Sequence, residues 1–523
     1  MLPFPRIWLL LVFNCFSSVL VSQTRKIKIL HTDILRINNE IAPNVRMLIG
    51  NVKLEHNNAV MYCDSANYFA DRNKFEAFNN VKIYQGDSIS LFADYIEYKG
   101  DIQLVKARNN VILSQDSMTL YTDHLDYYTS TSTGHYYAGG RIINKQSTLT
   151  SINGQYYANM SLFHFSENVE VVDSQFQIFS DTLKYNTKTE MSYFLGPTII
   201  LTDEDSIYCE YGWYNAAFKQ SYLSQNAYIY RDSLIVKGDT IFFDEIRDSG
   251  YARHHIEIID IANEVILKGN KGQINRSDEI YLMTDSALLI QIYNNDSMYL
   301  HADTLFSMPD TSGESRIIKA YYKVKFFRED IQGKCDSLVY SPKDSIIRIF
   351  YNPVLWSGEN QITSDYIEIF IKDNKFDKMY MESSAFIISQ EDFDKFNQIK
   401  GRNMTGYFRN NELYRIDVSG NGQTIYFPKE KDKFIGMNQV ESSDIVIYVE
   451  NRQIDKIKFI TQPTSILRPL SQITEEEKKL KDFNWYKSVR PITKYDIFRW
   501  EETTQPQWDT IPQKSELLVI PVD

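Results

Sequence analysis

The stretch "SISLFADYIEY", residues 88–98, decides the fold, because its apolar side chains alternate, stop at an acidic residue and resume with the opposite parity. Leu91 and Ala93 belong to the first alternation, Asp94 interrupts it, and Ile96 opens the second. Alternation with a period of two indicates a strand with one buried face. A change of parity indicates a bend with an extra residue, so we predict a strand that is bent, with the surplus residue, at Asp94.

The same pattern recurs about every 30 residues. The acidic position is followed, in most copies, by an aromatic residue four positions later. It is occupied by Asp64, Asp94, Asp123, Asn153, Asp181, Glu210, Asp239, Asn270, Asp303, Asp336, Asp365, Asn403 and Asp444. Self-similarity at this period indicates units that pack on their neighbours. We therefore predict an all-β fold, a stacked bent-strand β-jellyroll or solenoid of about thirteen units of ~30 residues.

Domain boundaries follow from where the repeat starts and stops. An apolar run follows Arg6, so residues 1–22 are predicted to be a signal peptide, which implies export. The remaining segments are repeats of the stack at 23–384, divergent repeats of the same stack at 385–462, and a cap or docking tail at 463–523. Within the tail, residues 473–483 have the pattern of one short amphipathic helix.

Charge and motifs argue against several classes of protein. The net charge of −12 lacks the basic footprint of a nucleic-acid-binding protein. The histidines are scattered, and the adjacent His254 and His255 would face opposite sides of a strand, so no metal site is expected. Cys63, Cys209 and Cys335 all precede the acidic position, where a small side chain is favoured. We expect no catalytic residue, no cofactor and no enzymatic activity.

The repeats resemble the OstA-like family, which includes the periplasmic LptA-type bridge of lipopolysaccharide transport. The resemblance rests on "GNVKLEHNNAVMYCDSANY", "NNVKIYQGDSISLFADYIEY", "NNVILSQDSMTLYTDHLDYY" and "NDSMYLHADTLFS", and it covers roughly residues 26–390. The length of the array is similar to that of the long OstA-like proteins of the Bacteroidetes type. The resemblance implies a twisted β-jellyroll in the periplasm with an apolar groove that accepts the lipid A portion of lipopolysaccharide.

From this resemblance we expect a periplasmic carrier or bridge that delivers lipopolysaccharide to the outer membrane. Its further expected partners are other lipopolysaccharide-transport proteins, joined by pairing of strand edges, and head-to-tail self-association is left open. Two alternatives stay open. One is a structural or outer-membrane-associated β scaffold without lipid cargo. The other is a carbohydrate-active β-helix enzyme that uses the residues of the repeated acidic position, here called the acidic ladder. The residues expected to contact acyl chains are Ile83, Leu91, Ile96, Leu113, Leu120 and Leu125.

Overall fold

The structure, a computed structural model, is almost entirely β-strand. It describes residues 26–38, 45–56, 59–86, 89–115, 117–144, 147–293, 296–313, 315–373, 375–431, 433–450 and 453–500. The expected signal peptide, residues 1–22, lies outside the described residues. Within the described ranges there is no α-helix, and no helix is long and apolar enough to cross a membrane. The chain divides into two compact units, unit 1 up to Asp203 and unit 2 from Glu204. The all-β prediction is confirmed.

Unit 1 is an antiparallel meander, because most strands pair with the strands next to them in sequence. Its one-turn 3-10 helices are Ala70–Arg72 and Ala158–Met160. Its strands are β1 (Lys28–His31), β2 (Ile34–Asn38), β3 (Val45–His56), β4 (Ala59–Phe69), β5 (Lys74–Gln85), β6 (Ile89–Lys99), β7 (Leu104–Gln115), β8 (Met118–Tyr128), β9 (Thr133–Tyr136), β10 (Gly140–Asn144), β11 (Ser147–Ser151), β12 (Asn153–Tyr157), β13 (Leu162–Val172), β14 (Phe176–Asn186) and β15 (Met191–Thr202).

Unit 2 is also a meander, and it begins with β16 (Asp205–Asn215), β17 (Gln220–Arg231), β18 (Leu234–Asp244), β19 (Ser249–Asp260), β20 (Val265–Asn275), β21 (Ile280–Tyr293), β22 (Asp296–Pro309), β23 (Arg316–Phe327) and β24 (Gln332–Ser341). It continues with β25 (Ile346–Phe350), β26 (Val354–Ser357), β27 (Asn360–Thr363), β28 (Tyr366–Lys372), β29 (Lys375–Glu382), β30 (Ala385–Gln390), β31 (Phe396–Gly401), β32 (Asn403–Arg409), β33 (Glu412–Tyr426), β34 (Lys429–Glu430), β35 (Lys433–Phe434), β36 (Met437–Glu450), β37 (Gln453–Phe459) and β38 (Thr464–Arg468). From β25 to β32 the bent strands are divided at the bend, so β24 pairs with both β25 and β26.

The change of parity at Asp94 is confirmed by burial along β6. Leu91 and Ala93 are buried before the acidic residue, Ile96 and Tyr98 are buried after it, and Asp94 is exposed. Both arms of the bent strand therefore point their apolar side chains to one interior. This arrangement lets each strand contribute to both walls of a sandwich.

The surplus residue at the bend lies on the neighbouring strand. Ile96 on β6 faces Ala77 on β5, and Ala93 faces Val81, so β5 takes four steps where β6 takes three. The prediction that the extra residue lies at Asp94 is therefore wrong. The reason is geometric: in a bulge, two residues of one strand oppose one residue of its partner, and a parity change alone does not say which strand holds the pair.

Asn79 and Asn80 form the bulge of β5, and both have positive φ, at 61° and 48°. Asparagine tolerates this left-handed conformation better than most residues. The amide of Asn80 donates to the Asp64 carboxylate at 2.8 Å, and Asn110 donates to Asp94 at 2.6 Å. The acidic ladder thus binds the bulges of neighbouring strands. Similar positive-φ pairs are Asn109 and Asn110, Gln225 and Asn226, His254 and His255, Asp285 and Ser286, and Tyr322 and Lys323.

The substitution Asn79→Val is expected to destabilise unit 1 by about 1–2 kcal/mol, because a β-branched side chain is strained at positive φ. Asn79→Gly is the matched control, and it should be close to neutral because glycine adopts this conformation freely. Urea unfolding of the two variants measures the difference. Equal stability of the valine and glycine variants would contradict the assigned role of the bulge.

Residues 469–500, here called the strap, lie on the outer face of unit 2. The inner face carries the main core, which includes Leu355, Ile362 and Ile387. On the outer face a cross-strand row runs through six neighbouring strands, and it reads Gln332, Trp356, Gln361, Ile388, Gln398, Ile425. All six of these side chains are buried, because the strap covers them. Unit 2 is thus packed on both faces along this row.

Three glutamines of the row hold the strap by its backbone or its side chains. Gln361 donates to the Asn484 carbonyl and accepts from the Tyr486 amide, both at 2.7 Å. Gln398 makes the same pair of bonds to the Lys478 carbonyl and the Leu480 amide, at 2.7 and 2.8 Å. The third, Gln332, accepts from the Arg490 guanidinium. Buried amides require such partners.

The amphipathic helix expected at residues 473–483 is absent from the described structure, and that prediction is wrong. Thr474 and Glu477 do form a capping arrangement, in which the carboxylate accepts from the Thr474 amide. The turn does not continue as a helix, because Gln398 binds the Lys478 carbonyl and the Leu480 amide. Tertiary hydrogen bonds have replaced the helical ones, as often happens to short segments of marginal helix stability. The short 3-10 helices of the strap are Leu470–Gln472, Lys487–Val489 and Asp496–Phe498.

Candidate functional site

An apolar trough runs through the interior of unit 1. It consists of two adjacent cavities of about 870 and 650 Å³, volumes that include space open to solvent. The cavities share Ile89, Leu113, Leu125 and Tyr127 as lining residues, so they are parts of one trough. Most of the other lining residues are also apolar or aromatic.

One wall of the trough is a continuous cross-strand row of aliphatic side chains. Ile83 faces Leu91, Leu91 faces Leu113, and Leu113 faces Leu120, on the strands β5 to β8. The row is extended by Met61 on β4 before Ile83. Leu91 is buried, whereas Ile83, Leu113 and Leu120 are half-buried, so these three have surface that an occupant can cover. Four of the six predicted lipid contacts therefore fall in one row.

The other two predicted contacts lie on the opposite arm of the bent strands. Leu125 lines both cavities and is 1% exposed. Ile96 is 0% exposed and packs opposite Ala77 and Ala107, behind the surface of the two cavities. The structure therefore places five of the six residues on the lining of the trough and Ile96 in the wall behind it.

Aromatic residues of this arm were not predicted as lining. Tyr98 and Tyr127 line the trough, and both stand four residues after an acidic position. The sequence did contain a pattern that could have indicated them, because an aromatic residue recurs at this position along the chain. Its role was missed because aromatic residues at a regular spacing are equally typical of a filled core. Phe163 and Phe165 on β13 line the smaller cavity, and their stacked rings have centroids 5.6 Å apart.

Two tyrosine hydroxyls on the lining of the trough are hydrogen-bonded. His56 Nδ1 lies 2.7 Å from the Tyr98 hydroxyl, and burial raises the pKa of Tyr98. Burial also raises the pKa of Tyr136 to about 12, and its hydroxyl is hydrogen-bonded to the Ser151 hydroxyl. Both tyrosine hydroxyls are therefore neutral at pH 7. The trough is therefore suited to apolar ligands, for which each buried methylene contributes about 0.8 kcal/mol.

The three cysteines of the described residues are buried and free. Burial raises the pKa of Cys63 to about 12 and that of Cys209 to about 11, and it raises the pKa of Cys335 as well. The thiolate is the reactive form of a thiol. All three thiols are therefore protonated at pH 7 in the folded protein.

We expect these three thiols to resist iodoacetamide at pH 8 in the folded protein and to react after unfolding. Because the thiol pKa values are raised in the folded state, their contribution to stability is complete below about pH 9 and is lost as the pH rises towards 12. Mass spectrometry of the alkylated protein counts the modified thiols. Rapid labelling of the native protein would show that the interior opens easily.

Among the described residues, no three His, Cys, Asp or Glu side chains come together as a candidate metal site. His255 does contact an acidic residue, since its Nδ1 lies 2.8 Å from the Asp239 carboxylate, but both side chains are exposed. This pair repeats the bond between bulge and acidic position seen at Asn80 and Asp64. It is part of the acidic ladder.

Comparison with known proteins finds a similarity for the amino-terminal repeats. The family described as OstA-like protein matches residues 24–181, less than a third of the chain, so this region is similar to that family. A crystal structure of LptH from Pseudomonas aeruginosa, described as the LptA-homologous periplasmic component of the lipopolysaccharide transport device, aligns at 13% identity with a TM-score of 0.20. The alignment covers 20% of this chain and 81% of that one, and at this score it supports no argument about function. No curated protein matches the chain.

Proposed function

We propose, because residues 24–181 belong to an OstA-like region, that this protein is a periplasmic carrier or bridge for lipopolysaccharide. In this proposal the trough of unit 1 shelters the acyl chains of lipid A while the sugar portion stays in water. The protein acts by binding and carries out no catalysis. Its role is to lower the free-energy cost of moving a lipid through an aqueous compartment.

One observation carries the proposal: the half-buried row Ile83, Leu113 and Leu120 lines an apolar trough within the OstA-like region. Aliphatic side chains that retain exposed surface in a concave site favour an apolar ligand. An acyl chain of about twelve methylenes would gain roughly 10 kcal/mol on full transfer from water. That gain is of the same order as the free-energy cost of the freedom lost on binding, so several acyl chains together favour a stable complex.

We further propose that partners join by strand pairing. β1 and β2 each pair with β3, and for each strand this is the one pairing found among the described residues. An unpaired strand edge offers backbone donors and acceptors to a strand of another protein. Other lipopolysaccharide-transport proteins and a second copy of this chain are the partners proposed for such an edge.

Photo-crosslinking in cells tests the carrier proposal. A photoreactive residue replaces Leu120 on the trough wall in one variant and Lys82 on the outer face of β5 in the control variant. Leu120 is half-buried on the lining, whereas Lys82 is exposed. The expected result is lipopolysaccharide adducts at position 120 and none at position 82.

A folded, exported protein that gives no adduct at position 120 would overturn the carrier proposal. A structural β scaffold without lipid cargo would then be the better description. Adducts of equal yield at both positions would also contradict it, because they would indicate contact with a membrane surface and no selective trough.

A further inference from the structure

We propose that the interior of unit 2 binds an acyl chain along β16 to β21 and that Phe326 closes this interior from β23 onward. The inference deepens the carrier proposal, on which it rests for the class of ligand, and it concerns repeats outside residues 24–181. Three observations support it: a change of burial along one inward-facing row, the packing of the Phe326 ring, and the pairing of the strands on both sides.

The first observation concerns the row of unit 2 that corresponds to the trough wall of unit 1. Val236 stands three residues before an acidic position, as Leu91 does in unit 1. Cross-strand pairing connects Ile207, Ile229, Val236, Ile258, Leu267 and Leu289. The last three pack against the main core, so the row faces the interior, yet all six side chains are only half-buried. An inward-facing side chain keeps exposed surface only where the two arms of the bent strands do not close on each other.

The opposite wall has small residues in the middle of this segment. Ala252 on β19 pairs with Gly272 on β20, and both are half-buried. Gly272 faces the interior, because a Cβ placed there would lie 3.3 Å from the Cδ1 atom of Ile256. Further along the same row, Leu305 and Leu338 are buried. Small residues fill less of the space between the walls, so they leave room for a ligand at β19 and β20.

Phe326 ends the open segment. The row continues through Leu300 and Phe326 to Gly333, and the first two are 8% and 4% exposed. A Cβ at Gly333 would overlap the Cζ atom of Phe326, so the ring occupies the space that a side chain at position 333 would take. The next members of the row, Leu355 and Ile362, are buried as well. The protein's own side chains therefore fill the interior from Phe326 onward.

Strand pairing favours an acyl chain over a peptide as the occupant of the open segment. Each of the strands β17 to β21 pairs with a strand on either side, so the backbone groups of both walls are already engaged. A peptide in the interior would bury its own amide and carbonyl groups without partners. An acyl chain has no such groups, and its transfer out of water is favourable. The segment from β16 to β21 offers it five strand spacings, about 24 Å.

The test uses the purified full chain and alkyne-tagged palmitate, with a photoreactive residue at one position in each variant. Position 258 lies on the open part of the row, position 259 is its outward neighbour, and position 355 lies on the closed part. Ile259 is half-buried like Ile258, so it is a matched control. The expected result is palmitate adducts at position 258 and none at positions 259 and 355.

Removal of the Phe326 ring tests its role as the closing residue. Phe326→Ala should raise labelling at position 355 at least about tenfold, because the space over Gly333 then becomes available beside Leu355. Phe326→Leu removes less volume and should raise the labelling less, and it replaces the alanine variant if that variant does not fold. Circular dichroism confirms the fold of each variant. No gain at position 355 in the folded variants would overturn the role assigned to Phe326.

Equal labelling at positions 258 and 259 would overturn the proposal, because it would indicate adsorption of palmitate to the surface. A folded chain without adducts at position 258, or with adducts at position 355 while Phe326 is in place, would overturn it as well. The carrier proposal is tested separately, by lipopolysaccharide at position 120 of unit 1. Adducts at position 120 without adducts at position 258 would restrict lipid binding to unit 1, whereas the reverse would leave an apolar site in unit 2 and no carrier.

Discussion

The substitution Leu113→Glu is expected to reduce lipopolysaccharide binding by about a hundredfold or more while the protein stays folded. Leu113 lines both cavities of the trough and is half-buried, so its replacement keeps access to water in the unloaded protein. When an acyl chain enters, the new carboxylate has to lose that water, at a cost of several kcal/mol. The apolar contacts of the leucine are lost as well, at about 0.8 kcal/mol for each methylene that becomes exposed.

Ile112→Glu is the matched control, because Ile112 is the preceding residue of β7 and points to the opposite face. Ile112 is also partly exposed, and its cross-strand neighbours are Phe92 and Tyr121 on that outer face. Binding of purified lipopolysaccharide to the two variants, with unfolding curves for both, separates a binding defect from a folding defect. If folded Leu113→Glu binds as tightly as Ile112→Glu, the trough is not where lipid binds.

The substitution Gln361→Leu is expected to release the strap. Gln361 is 0% exposed, and its side-chain amide satisfies both the Asn484 carbonyl and the Tyr486 amide. Leucine has a similar size but no polar atom, so two backbone groups would be buried without partners. Each such group costs about 1–3 kcal/mol, so the attachment of the strap around Asn484 and Tyr486 is strongly weakened.

Limited trypsin digestion measures this release, since the strap contains cleavage sites at Lys478, Lys487 and Lys494. We expect cleavage there to be at least about tenfold faster in Gln361→Leu, in line with a loss of more than 1.4 kcal/mol. Gln439→Leu is the control, because Gln439 lies in the same cross-strand row beyond Ile425 and is only partly buried. Equal cleavage rates in the two variants would show that the strap does not depend on the buried glutamines.

The sequence alone was sufficient to predict the repeat, the bend in each strand and the face of each strand that points inward. Alternation around Asp94, repeated at each acidic position, is a local property of the strand, because successive side chains must point to opposite faces. For the same reason the row Ile83, Leu91, Leu113 and Leu120 was predictable as inward-facing. The exposed surface of this row and its position on the lining of an apolar cavity could not be predicted from the sequence.

Tertiary structure decided which strand holds the extra residue at each bend. A parity change is visible in one strand, but a bulge is a relation between two strands, so Asn79 and Asn80 had to be seen opposite Asp94. The distinction between Ile96, buried behind the wall, and Leu113, exposed to the cavity, is likewise a matter of packing between the two arms.

The strap shows most clearly what the sequence could not determine. Gln332, Gln361 and Gln398 are far apart in the chain, and each looks like a solvent-exposed residue on the polar side of a strand. Strand pairing places them in one row, and the strap then buries them and binds to them. The same bonds prevent the expected helix at residues 473–483. Local pattern determined which face of each strand is apolar, whereas the pairing of distant strands determined which polar face is covered, since burial depends on what lies opposite a residue in space.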